Sequence, residues 1–248
     1  MSAKLDPSSK VHELHPQGVV FGRAACVGQD VFQLKTAGKY QLINLQKGRL
    51  DLLMDWIEGA PRPRASVVEG HMPRKIVFPM IEQQERLDWF NSRAKPQFIM
   101  MDAYSELTDQ QFTHREEGWS FCCHYTDLNP TPDFEKLFEK KGLLPLEDIE
   151  STYWRFFDWV ERELPLTNVV FVHYSTRFDS REHFKGRADE ILRVMNKLQL
   201  TKPYIFNLWL HDHLYNPNEG DSFPYHYSQE TYQSLVDIWN KAEGDPGA

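Results

Sequence analysis

Cysteine is scarce in this chain, no lysine–arginine block occurs, and no long apolar run is present. The 248 residues hold three cysteines, Cys26 and the adjacent Cys122 and Cys123. An odd, sparse set is no disulfide framework and predicts a reducing compartment. Asp and Glu outnumber Lys and Arg, 36 to 28, for a formal charge of −8. That balance argues against a nucleic-acid partner while leaving room for a local basic pocket. No apolar run approaches the roughly 18 residues needed to span a bilayer. The opening MSAKLDPSSKVHELHPQG lacks the apolar centre of a signal peptide, so a cytoplasmic protein without membrane insertion is expected. No GxxxxGK[ST] loop occurs, which ranks nucleotide-dependent glycosyl or sulfo transfer low. Internal repeats and low-complexity segments are absent as well.

What is present suits a core. Hydrophobic residues make up 41% of the chain, with seven Trp, ten Tyr and sixteen Phe. A single α/β domain is predicted over 18–243, after a flexible polar arm at 1–17. The stretch Gly18 to Phe32, GVVFGRAACVGQDVF, sets the pattern. Val19 to Phe21 read as a buried strand, Gly22 to Gly28 as a small-residue turn, and a helix starts near Gln29. A strand, glycine-flanked turn and helix is where α/β proteins place nucleophiles and bind anions. Further strands are predicted at Tyr40 to Leu45, Phe98 to Met101, Leu166 to Val172 and Tyr204 to Leu210. Helices are predicted over 50–57, 81–94 (Leu87 and Phe90 inward), 133–141, 147–163, 182–198 and 229–242, the last capped by Ser228. Residues 108–132 form an irregular aromatic-rich segment, a loop or a hairpin covering the sheet edge or the site. Strands that are continuous apolar runs, alternating with helices, predict a mainly parallel sheet covered on both faces.

Sites in such sheets form beyond the C-terminal strand ends. Four polar clusters fall there: Arg23 to Asp30, Asp102 to Ser105, His173 to Asp179, and His211 to Tyr227. Cys26 could be a nucleophile in the turn or a small buried hydrophobe. His226 could be its base, with Asp221 or Asp102 orienting the imidazole, or a loop histidine packed among Phe223, Tyr225 and Tyr227. Arg23 and the helix start could hold an anion, and Arg177 could clamp one, although Arg177, Arg181 and Arg187 interleave with acids as a solvated face does. Asp30, His173 and Tyr227 complete the candidate substrate-binding set. His211-Asp212-His213 invites a metal, but no helix or cysteine partner supports it, and Cys122-Cys123-His124 matches no zinc spacing; no metal is expected. Gly220-Asp221-Ser222 near the C-terminus reads as coincidence.

The order of these pieces resembles the SGNH-like (GDSL-related) hydrolases and acyltransferases, in particular a bacterial branch associated with polysaccharide biosynthesis. That branch opens on a strand and a G-S-C-V-S-R-D-x-F turn, which Ala24-Ala25-Cys26-Val27-Gly28-Gln29-Asp30-Val31-Phe32 matches. It carries an apolar strand ending in Asp, as in Phe98 to Asp102. It has a P-F-H-Y segment before the last helix, as in Pro224-Tyr225-His226-Tyr227. The resemblance covers residues 18 to 240 and implies a three-layer, flavodoxin-like sandwich. It implies an esterase or acyltransferase acting on a glycan or glycoconjugate, or on a small-molecule acyl acceptor. No cofactor is required, although capsule-associated relatives with a Cys in this turn point to coenzyme A or acetyl-CoA as donor. The departures are specific: Ala25 and Gly28 stand where serines are expected, Gln29 replaces the arginine, and Asp221 precedes His226 by five residues rather than three. Either Cys26 attacks in place of serine, or the protein is a degenerate binding or structural relative.

Overall fold

A computed structural model describes residues 16–92, 94–221 and 223–244. Residues 1–15 of the expected arm, and Ser222, lie outside the described residues. β1 (Val19–Arg23), α1 (Cys26–Thr36) and β2 (Gln41–Asn44) make the first parallel βαβ unit. The helices α2 (Leu50–Ile57), α3 (Ala65–Glu69), α4 (Phe78–Arg86) and α5 (Asp88–Asn91) lead to β3 (Phe98–Asp102) and the short α6 (Tyr104–Thr108). A hairpin of β4 (Asp109–His114) and β5 (Ser120–His124) follows, then α7 (Pro132–Leu137) and β6 (Phe138–Gly142). Alternation resumes with α8 (Leu146–Glu163), β7 (Asn168–Val172), α9 (Glu182–Gln199), β8 (Ile205–Leu208) and α10 (Gln229–Gly244).

The five-stranded parallel sheet runs β2-β1-β3-β7-β8. Its inner strands β1, β3 and β7 carry apolar runs because both faces are covered: Val20, Ile99, Met100, Val169 and Phe171 are wholly buried. One helical layer pairs α1 with α10, and the other packs α8 against α2 and α9. The mainly parallel α/β sandwich expected from the sequence is what the chain adopts. β1 lies between β2 and β3, so the chain leaves it towards opposite edges. The crevice beyond the C-terminal ends of β1 and β3 is therefore the topological switch point. Ser228 Oγ accepts from Thr231 N at 3.3 Å, capping α10 as the sequence suggested.

A second sheet, β5-β4-β6, is antiparallel and packs its own cluster of Phe112, Trp119, Phe121, Phe134 and Phe138. The segment at 108–132 is thus largely a regular hairpin, turned through Gly118 at φ +73°. The helix expected over 133–141 stops at Leu137, because Phe138 starts β6 and buries its ring against Phe121 and Trp119. The helix expected over 81–94 breaks at Leu87, which turns left-handed at φ +47°. There the chain carries Trp89 over the sheet, where its indole donates to the carbonyls of Gly22 and Ile43 and stacks on Phe21. Phe90 points partly outward as a result. α1 begins at Cys26, three residues before the sequence pattern placed it.

Candidate active site

The turn after β1 is built around Asp102, the last residue of β3. Asp102 Oδ2 accepts from Ala25 N at 2.7 Å and from the Tyr174 hydroxyl at 3.1 Å, and Oδ1 accepts from Tyr104 N at 3.0 Å. Gly28 keeps this packing possible, since a Cβ there would meet Asp102 Oδ2 at 2.8 Å and Ala24 Cβ at 2.7 Å. Burial pushes the Asp102 carboxyl up to about 6, against the pull of the Tyr104 N–H, Arg23 and the Ala25 N–H. Asp102 therefore fastens two strand ends together instead of orienting a histidine.

Cys26 opens α1 and is half-buried. Burial and the neighbouring Asp102 push its thiol up to about 12, so it rests as the neutral thiol. It lines a cleft of about 400 Å³ together with Lys47, Tyr104, His124, Phe223 and His226, among others. His226 and Asp221 come from the loop before α10. His226 Nδ1 lies 2.5 Å from Asp221 Oδ2. The Phe223 N–H and then His226 hold the Asp221 carboxyl below its usual range. An ionised carboxylate only accepts, so Nδ1 carries the proton of this hydrogen bond. The structure thus brings Cys26 and His226 to one cleft, with Asp221 on the imidazole.

Other expected site residues lie elsewhere. Arg23 is 2% exposed and spends its guanidinium inside: Nη1 donates to Glu106 at 2.8 Å and to Gly48 O, and Nη2 donates to Asp102 O at 2.6 Å. An anion cannot reach it. Asp30 faces solvent on α1 beside Tyr232. His173 is buried, its Nε2 bonded to Asn207, and burial pulls it down to about 4. It lines a separate hollow of about 490 Å³ with Trp209, His211 and His213. Arg177 donates to the carbonyl of Asp212 beside that hollow. The buried Tyr227 gives its hydroxyl to Ser175 O at 2.9 Å. Arg187 is no solvated residue either; it is 5% exposed and donates to Glu106 O. Among the described residues no group of three or more His, Cys, Asp and Glu side chains is placed to hold a metal ion.

Several cleft residues escaped the sequence analysis. Lys47 follows β2 and is 7% exposed, its Nζ 3.1 Å from Asp109 and 3.2 Å from Asp127. Burial alone would lower its pKa; the two carboxylates outweigh that and raise it, so Lys47 stays charged. The rule that found Asp102, a polar residue past a strand end, would have found Lys47 after β2 as well. Arg74, His124 and Arg181 reach the same cleft; the sequence marked Arg181 as part of a solvated face and His124 as an unsupported zinc ligand, and Arg74 not at all. Burial, with help from Lys47, lowers the pKa of His124. No family model, curated protein or solved structure matches the chain.

Proposed function

We propose that the chain is an SGNH-like acyl-transfer enzyme, an esterase or acyltransferase acting on a glycan or glycoconjugate. The observation that carries this reading is His226, paired with Asp221, lining a cleft that also holds Cys26, at the switch point of a parallel sheet. In the first half-reaction Cys26 Sγ attacks the acyl carbonyl and an S–C bond forms. His226 Nε2 takes the thiol proton, and Asp221 stabilises the imidazolium. His226 then returns that proton to the leaving group as the bond to it breaks. In the second half an acceptor hydroxyl, or water, attacks the thioester, and its proton passes through His226 back to the sulfur. With the thiol held at about 12, no thiolate is stored; the proton leaves as the sulfur attacks.

A specific observation favours the rival reading, a binding protein on the same fold. Ala25 has no hydroxyl, and its N–H, a natural oxyanion donor, is already bonded to Asp102. Turnover of p-nitrophenyl acetate and of acyl thioesters by wild type, C26A and H226Q decides between the two. The enzyme reading expects both variants to lose about 10²–10⁴ in rate at an unchanged unfolding midpoint. Unchanged turnover in C26A removes Cys26 from the mechanism, and inertness of the wild type favours the binding protein.

A further inference from the structure

The cleft carries a charge pattern that acyl transfer alone does not use. Among the described residues its wall presents three cations, Lys47, Arg74 and Arg181, against one carboxylate, Asp127, in a chain of formal charge −8. The three cations come from separate segments: Lys47 follows β2, Arg74 precedes α4, and Arg181 stands at the entry to α9. Each is held from behind by a buried acid. Arg74 Nη1 lies 2.9 Å from Asp127, which also meets Lys47. Arg181 grips Asp179 through Nε at 2.8 Å and Nη2 at 2.7 Å.

Exposure separates the two signs. Asp109, Asp127 and Asp179 are 0%, 1% and 3% exposed, whereas the side chains of Arg74 and Arg181 keep 58% and 35%. The acids hold the cations in place; Arg74 and Arg181 face the opening, while Lys47 lies buried. Side chains fixed before a ligand arrives lose less entropy on binding it, and guanidinium forks suit phosphate and carboxylate oxygens.

We propose that this cleft grips its ligand by an anionic group, a phosphate or a carboxylate, held by Arg74 and Arg181 above Lys47. The anion takes the place assigned in the sequence to Arg23 and Arg177, which point elsewhere. Resting on the acyl-transfer reading for its sugar and acyl parts, the substrate class narrows to an anionic glycan or glycoconjugate.

Calorimetric titration tests this with sodium pyrophosphate, sodium glucuronate and glucose at matched ionic strength, on wild type and on C26A. One anion or both bind while glucose does not, and whichever binds tells phosphate from carboxylate recognition. The R74A/R181A double variant weakens that binding at least about tenfold, and R74K/R181K, which keeps the charge but loses the fork, weakens it less. Should the alanine pair fail to fold, the lysine pair still reads a loss, a smaller one. Absence of anion binding beyond that of glucose, or binding unchanged in the folded double variant, overturns the proposal. Anion binding by a wild type without turnover sinks acyl transfer alone; turnover without anion binding sinks the anion site alone.

Discussion

The inner end and the mouth of the cleft obey different physics. At the inner end, Ala25, Asp102, Tyr174 and Arg23 are all buried, and Asp102 gathers bonds from the Ala25 N–H, the Tyr174 hydroxyl and Arg23 Nη2, the last through its backbone carbonyl. At the mouth, His226, Asp221, Arg74 and Arg181 are partly exposed and pair locally or with acids behind them. Two carboxylates sum up the contrast: burial pushes Asp102 up to about 6, while the Phe223 N–H and His226 hold Asp221 below its usual range. Environments that drive like groups apart give them unlike tasks. Asp102 holds the backbone in shape, and Asp221 conditions a base. Substitutions at the inner end should therefore cost stability, and substitutions at the mouth should cost function alone.

The largest effect is expected at Glu106. Glu106→Ala leaves the Arg23 guanidinium buried without its carboxylate, at a cost of about 3–5 kcal/mol in urea unfolding. The double variant R23M/E106L should recover most of that loss, because apolar pairs of similar volume replace buried ion pairs well. Next comes Gly28→Ala. Its Cβ would press Asp102 Oδ2 and Ala24 Cβ inside 3 Å, and neither has room to retreat. A loss of about 1–3 kcal/mol is expected in the same measurement.

A smaller effect is a matter of pH. The folded pKa of Asp102 stands at about 6, above the ordinary 3.8. Between those values the folded chain holds a proton that the unfolded chain has released, so raising the pH through the window removes stability. His173, at about 4 against 6.5, has the opposite sign: the unfolded chain holds the extra proton, and raising the pH adds stability. Urea midpoints between about pH 4 and 7 should show D102N gaining on the wild type as pH rises, and H173Q losing to it. The smallest stability effect is at the mouth. Asp221→Asn and His226→Gln should leave the thermal midpoint where it is, and a clear fall in either would place that pair among the structural groups.

The backbone frame of the inner end and the His226–Asp221 pair were legible in the sequence, and the cations of the mouth were not. Phe98 to Asp102 and Val19 to Arg23 are local patterns: an apolar run fixes a strand, and the polar residue after it falls at the sheet's C-terminal edge. That logic located Cys26 and Asp102 and the three-layer plan. It misplaced Arg23, because position along a strand does not say whether an arginine turns outward or finds Glu106 inside. Lys47, Arg74, His124 and Arg181 meet only through the order β2-β1-β3-β7-β8 and the packing of the small antiparallel sheet. Such long-range meetings leave no local spacing to read. The break at Leu87 and the strand at Phe138 are of the same kind, decided by where Trp89 and Phe138 bury their rings and not by local periodicity.

Intact-mass spectrometry of the protein quenched in acid during turnover of p-nitrophenyl acetate tests the central claim most directly. The account predicts one acetyl group on Cys26, absent from C26A and formed far more slowly in H226Q at the same fold stability. Ester turnover at the wild-type rate in C26A, or an acetyl group carried on another residue, would contradict it.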